Sequence, residues 1–143
     1  MEKRYGNLIV ELACQLIAPF ILLFGLYVIF HGHHSPGGGF QGGAILAAMA
    51  ILLRLSLGME LTSRIFSPRL MPAFAAAGLL IFAGVGVAAI FGGGNFLDYG
   101  AIPVQGVSEP SLHHNGILLA ELGIALSVFG VMLSIFDTLI RDK

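Results

Sequence analysis

A chain of 143 residues that is 57% hydrophobic and 10% charged, with a mean hydropathy of +0.92, lacks the polar covering of a water-soluble domain, where about a quarter of residues carry charge. Its formal net charge of -1 leaves no basic footprint for nucleic acid. Cys14 is the only cysteine, which excludes an intrachain disulfide and a cysteine-based zinc site. A lipoprotein signal is not expected, because Glu11 stands in "ELAC" where an apolar residue is needed. A cleaved signal peptide is not expected either, because the first apolar run is too long and lacks a small-residue cleavage site.

Four apolar segments follow one another, at about 8–30, 40–58, 70–91 and 115–136. Each has about the 20 residues that an α-helix needs to cross the hydrocarbon core. None alternates with period two, so a β-barrel is a poor fit. The expected fold is all-α: a polytopic membrane protein, a single domain over 1–143 with four transmembrane helices. Lys3 and Arg4 precede the first segment, Arg64 and Arg69 lie between the second and third, and Arg141 and Lys143 follow the fourth. The remaining loops hold no Lys or Arg, which places both termini in the cytoplasm.

Three full charges interrupt the apolar segments: Glu11, Arg54 and Glu121. Such residues are costly in lipid and face a protein interior, a cavity or a partner. Glu11 stands about 4–5 Å, and Arg54 about 6 Å, inside the cytoplasmic ends of their helices at 1.5 Å per residue, so the two can meet. They read either as a structural ion pair near the interface, with Gln15 one turn above Glu11, or as part of an ion path. Glu121 lies about 9 Å below the outer end of the fourth segment, with no basic residue at that depth. Gly123, Ser127, Gly130 and Ser134 form a small-residue stripe roughly opposite it, the kind of face that admits another helix. The fourth helix is therefore flanked on both sides. A partner subunit is the expected cover for Glu121, with a central position among the four helices as the other solution. Glu121 is either a protonatable or cation-attracting carboxylate in a transport path, or a carboxyl held neutral by burial. The second helix carries a stripe of its own, Gly43, Ala47 and Ala50, running on to Arg54. The third has no polar side chain and reads as a lipid-facing helix.

The stretch "FHGHHSPGGGFQGG", residues 30–43, separates the first two segments. It contains G-x-G-x-x-G, but a dinucleotide loop needs a preceding strand, and here a membrane helix precedes. Ser35-Pro36 makes a turn, and the glycines let the backbone approach a neighbour closely. All five histidines, His31, His33, His34, His113 and His114, fall in or beside the outer loops. They are expected to be interfacial. Metal binding lacks a third ligand type at suitable spacing, and titration near neutral pH remains available to the imidazoles.

"YVIFHGHHSPGGGFQGGAILAA", residues 27–48, and "HHNGILLAELGIAL", residues 113–126, resemble the MnhB/MrpB family, small membrane subunits of Mrp-type multisubunit cation/proton antiporters. The likeness runs over nearly the whole chain. Pro36, Gly37, Gly38, Gly39, Phe40 and Gln41 match the family motif, with His31 and His33 just before it. The resemblance implies a multi-pass subunit of the cell membrane that works beside complex I-like antiporter subunits and other small Mrp subunits. Na+ and H+ are the transported ions, and the subunit is needed for assembly and lines part of the cation route. It implies no cofactor and no enzymatic activity. The alternative is a homologous subunit in the membrane arm of a redox-driven complex such as a membrane-bound hydrogenase. A stand-alone intramembrane enzyme would need a convergent polar site, and no such motif is present. A scaffold without ion contact is the remaining possibility.

Overall fold

In the computed structural model, the backbone is described for residues 2–32, 37–103 and 109–141, and the side chains for 8–32, 37–103 and 110–140. The helices are α1 (Glu2–Phe30), α2 (Gly39–Leu57), the one-turn α3 (Met59–Thr62), α4 (Met71–Phe91) and α5 (Glu109–Arg141). A 3-10 turn at Tyr99–Ala101 precedes α5. Four helices are long and apolar enough to cross a membrane, over Leu8–Phe30, Gly39–Leu57, Met71–Phe91 and Pro110–Ile140. The chain is thus an all-α, four-span membrane protein.

Local signals account for the helix ends. Gly58, at φ 83°, closes α2 with its N–H on the Arg54 carbonyl at 3.1 Å. Pro72 lies in the first turn of α4, where its missing N–H has no helical acceptor to lose. Pro19 falls inside α1, a placement that membrane helices tolerate.

The backbones line up as a row in the order α1, α2, α5, α4. Small residues set the register. A side chain on Gly39 would strike the carbonyl of Glu121, and one on Gly43 would meet the carbonyl of Ala125 at 2.6 Å, so α2 and α5 run parallel. On the other side of α5, Gly123 lies beside Gly78, and Gly130 beside Met71 and Ala75, so α4 runs antiparallel. The Gly123–Ser127–Gly130 stripe therefore faces α4, while Glu121 faces α2. The two-sided flanking of this helix comes from the chain itself, and α4 is packed along it. At one end, Ala50, Met71 and Leu133 bring α2, α4 and α5 into a shared core, edged by Ile51, Phe66 and Phe129.

With α1 antiparallel to α2 and α2 parallel to α5, the start of α1 and the end of α5 lie at the same end of the row. Outward-facing side chains are apolar: Leu16 and Phe20 on α1, and Leu80 and Phe91 on α4, are all more than half exposed. That is the surface a hydrocarbon solvent requires.

The last helix differs from its apolar segment. It begins at Glu109, six residues before 115, and runs five residues past 136. Glu121 is therefore about 18 Å from the start of α5 rather than about 9 Å. Gly32 and Gly38, on either side of the α1–α2 connection, lie at the level of Glu121, and the α4–α5 pair continues beyond it.

Candidate functional site

Glu121 is the carboxylate around which the glycine-rich hairpin folds. A Cβ on Gly32, just after α1, would stand 2.8 Å from Glu121 Oε1 and 2.9 Å from Oε2. One on Gly38 would stand 3.2 Å from Oε1. Gly39 opens α2 directly against the Glu121 backbone. Gly38 is also held at φ 125°, which a residue with a side chain rarely adopts. The glycines of "GGGF" thus bring the N-terminus of α2 against a carboxyl group on α5. That end of the helix carries free N–H groups and no side-chain cap of its own. Oε2 of Glu121 is buried without a hydrogen-bond partner.

The remaining motif positions divide by helix geometry. Phe40 and Gln41, one and two residues further round α2, are exposed, Phe40 at 67%. Gly37 is half-buried against Val28. His31 is exposed. Its ring stacks on Tyr27 at 4.3 Å between centroids, and its Nδ1 lies 3.2 Å from the Tyr27 carbonyl. His33 and Pro36, with His34 and Ser35, lie outside the described residues.

Above Glu121, the 3-10 turn closes over α5. Tyr99 packs on Gly116, its ring Cδ1 within 2.7 Å of where a Cβ would stand. Tyr99 meets His113 edge-on, with centroids 6.4 Å apart. Burial pushes the Tyr99 hydroxyl above the ordinary tyrosine range, and the Glu121 charge pushes it in the same direction. Nothing in the sequence singles out Tyr99, since a lone tyrosine in a loop has no motif. Its usable signal is the small Gly116 on the facing helix. His31 and His113 do not converge: His31 sits beside the turn at the level of Glu121, and His113 is eight residues, about 12 Å, further along α5. Among the described residues, no three His, Cys, Asp or Glu side chains come together as a metal site would require.

Arg54 has a different partner from the one its depth suggests. Its Nη2 lies 2.9 Å from Oδ2 of Asp137 on α5, with both side chains almost completely buried. Nη2 also donates to the Phe66 carbonyl at 2.9 Å, and Nη1 reaches the Met59 sulfur at 2.8 Å. Glu11, half-buried on α1, takes no part in this ion pair. Counting along the helices explains it: Gly39 matches Glu121, so Arg54, 15 residues on, falls level with Asp137, 16 residues on. Asp137 escapes a hydropathy reading because it stands one residue past the apolar segment that ends at 136.

The whole arrangement sits inside a region shared with known proteins. A family model described as "Domain related to MnhB subunit of Na+/H+ antiporter" matches residues 9–134. The chain belongs to the MnhB family. The matched stretch takes in Glu11, the hairpin, Arg54 and Glu121, and stops three residues short of Asp137. Among MnhB-related proteins, the B-type Na(+)/H(+) antiporter subunit of Bacillus subtilis (strain 168) is 36% identical over 112 residues, covering 76% of this chain and 78% of its own. A putative antiporter subunit mnhB2 of Staphylococcus aureus (strain Newman) is 37% identical over 57 residues, 40% of each chain.

Proposed function

We propose that this chain is the B-type subunit of a multisubunit cation/proton antiporter of the cell membrane. In this role it assembles with complex I-like antiporter subunits and small Mrp subunits, and contributes Glu121 to the ion-handling interior. The observation that carries the reading is a carboxyl on a membrane-spanning helix, with one oxygen buried, packed by Gly32 and by Gly38 of the family motif, in a chain whose relatives are named as antiporter subunits. Ionisable side chains at such depth mark ion and proton pathways. The open row of helices agrees with a subunit role, because four helices in a row leave both broad faces for neighbours or lipid. The basic residues gathered at the end that holds both termini support a cytoplasmic location for that end. The chain acts here as a transporter subunit and performs no covalent chemistry.

The relatives' names favour the antiporter over the membrane arm of a redox-driven complex. Purification of the C-terminally tagged chain in mild detergent, followed by mass spectrometry, separates the two. Antiporter-type subunits without iron–sulfur proteins are the expected companions. Iron–sulfur or hydrogenase subunits would move the chain to the redox-driven class, and isolation of the folded chain alone would remove the subunit reading.

A further inference from the structure

An antiporter handles two kinds of ion, and a carboxyl group in its interior can serve either. We propose that Glu121 binds the proton and does not bind the metal cation. The inference rests on the antiporter reading above and names the ligand of that same site.

Three features of the surroundings decide between the ions. First, a bound Na+ needs several oxygen ligands in a cage around it. The backbones of Gly32 and Gly38 pack on the Glu121 carboxyl so closely that a single methyl group on either would stand 2.8 to 3.2 Å from its oxygens. On that side there is no room for a cation with its shell. Second, the N-terminus of α2 begins at Gly39, against Glu121, and it offers N–H donors and the positive end of the helix dipole. These stabilise a negative carboxylate and repel a cation. Third, among the described residues no three His, Cys, Asp or Glu side chains gather at Glu121 or elsewhere.

A proton needs none of these. It requires one oxygen, and Oε2 of Glu121 is buried with no donor to satisfy it. Two opposing forces then act on the same group. The α2 N-terminus favours the ionised carboxylate, and the unsatisfied buried oxygen favours the protonated acid. A carboxyl held between such forces exchanges its proton when its surroundings shift slightly. Apart from Glu11 and Cys14 toward the other end of α1 and Asp137 toward the other end of α5, the titratable side chains described on the packed elements are Tyr27 and His31 at the end of α1, Asp98 and Tyr99 at the 3-10 turn, and His113 and His114 on α5. α4 has no ionisable side chain, and the one charged residue of α2, Arg54, is at the far end, engaged by Asp137. Tyr99 and His113, in edge-on contact, stand between Glu121 and the loop end of α5.

The test uses the intact wild-type complex in membrane vesicles. Dicyclohexylcarbodiimide reacts with protonated carboxyl groups in apolar surroundings, and mass spectrometry of the Glu121 peptide reports the modified fraction. The proposal predicts that Glu121 is labelled, that labelling falls with rising pH by about tenfold per unit once the proton leaves, and that saturating Na+ at constant ionic strength leaves it unchanged. Protection by Na+ would overturn the proposal by making Glu121 a cation ligand. Absence of labelling at every pH would overturn it by making Glu121 a permanently ionised cap for α2. Neither result touches the antiporter reading, which stands or falls on sodium-dependent proton flux measured in the same vesicles.

Discussion

At the residue scale, Gly39 and Gly84 make opposite demands. A methyl group on Gly39 would collide with the Glu121 backbone, whereas one on Gly84 meets nothing within 4 Å. Gly39→Ala is expected to force α2 and α5 apart and lower stability by about 1–3 kcal/mol, the usual result of overpacking. Gly84→Ala should be neutral or slightly stabilising, because alanine is the better helix former. The thermal midpoint of the detergent-solubilised protein checks both. Equal effects at the two positions would mean that the close approach at Gly39 carries no energetic weight. Tyr99 makes a second prediction. Burial and the Glu121 charge hold its hydroxyl in the neutral form, above its ordinary value of about 10. The neutral phenol is the form that docks on Gly116. The stability this provides is fully present below the ordinary tyrosine value and is lost as pH rises through the raised one. A phenolate absorbance titration should show a late step, and Tyr99→Phe should remove it. Loss of an ordinary step in that variant, with the late one absent from the start, would show that the turn is not closed over α5.

At the element scale, the Arg54–Asp137 pair ties α2 to α5, while the Phe66 carbonyl and the Met59 sulfur add the connection leading to α4. Removing one partner leaves an uncompensated buried charge, at a cost of about 3–5 kcal/mol. Arg54→Met and Asp137→Leu are each expected to lose folded protein after solubilisation. The double variant should recover much of the loss, since a buried pair is often replaceable by apolar side chains. Additive losses would indicate that the two groups are not coupled. This pair also marks what the sequence could not reveal. Hydropathy delimits spans because lipid rejects polar side chains, so the four helices are legible. Backbone hydrogen bonding does not stop where hydropathy does. Residues 109–114, His113 and His114 among them, extend α5 before its apolar part at one end, and Asp137 continues it at the other. Depth alone consequently matches Arg54 with Glu11, while its true partner lies just outside the apolar segment. The face of Glu121 is legible from the 100° rotation per residue. That α2 covers this face depends on the order of helices in the row, which a single sequence does not state.

At the scale of the whole molecule, the row α1–α2–α5–α4 encloses its polar groups in two places. Arg54 with Asp137 lies toward the end that holds both termini, and Glu121 lies beside Gly32 and Gly38. The first is neutralised within the chain, and the second keeps a buried oxygen without a donor. A scaffold needs only the first. In the function proposed above, the second is the group that handles ions, within a chain of the MnhB family. Replacement of Glu121 by Gln preserves shape and removes the titrating group. It is expected to leave the chain in its complex while lowering transport by roughly two to four orders of magnitude, the range in which general acid–base groups contribute. Full transport by an assembled Glu121→Gln complex would return the chain to a scaffold role.

The most direct measurement is sodium-induced proton movement in inside-out membrane vesicles, followed with a pH-sensitive dye. It compares a host lacking only this chain with the same host in which it is restored. The account predicts that adding Na+ dissipates the imposed pH gradient only when the chain is present. An equal response in both vesicle preparations would contradict it.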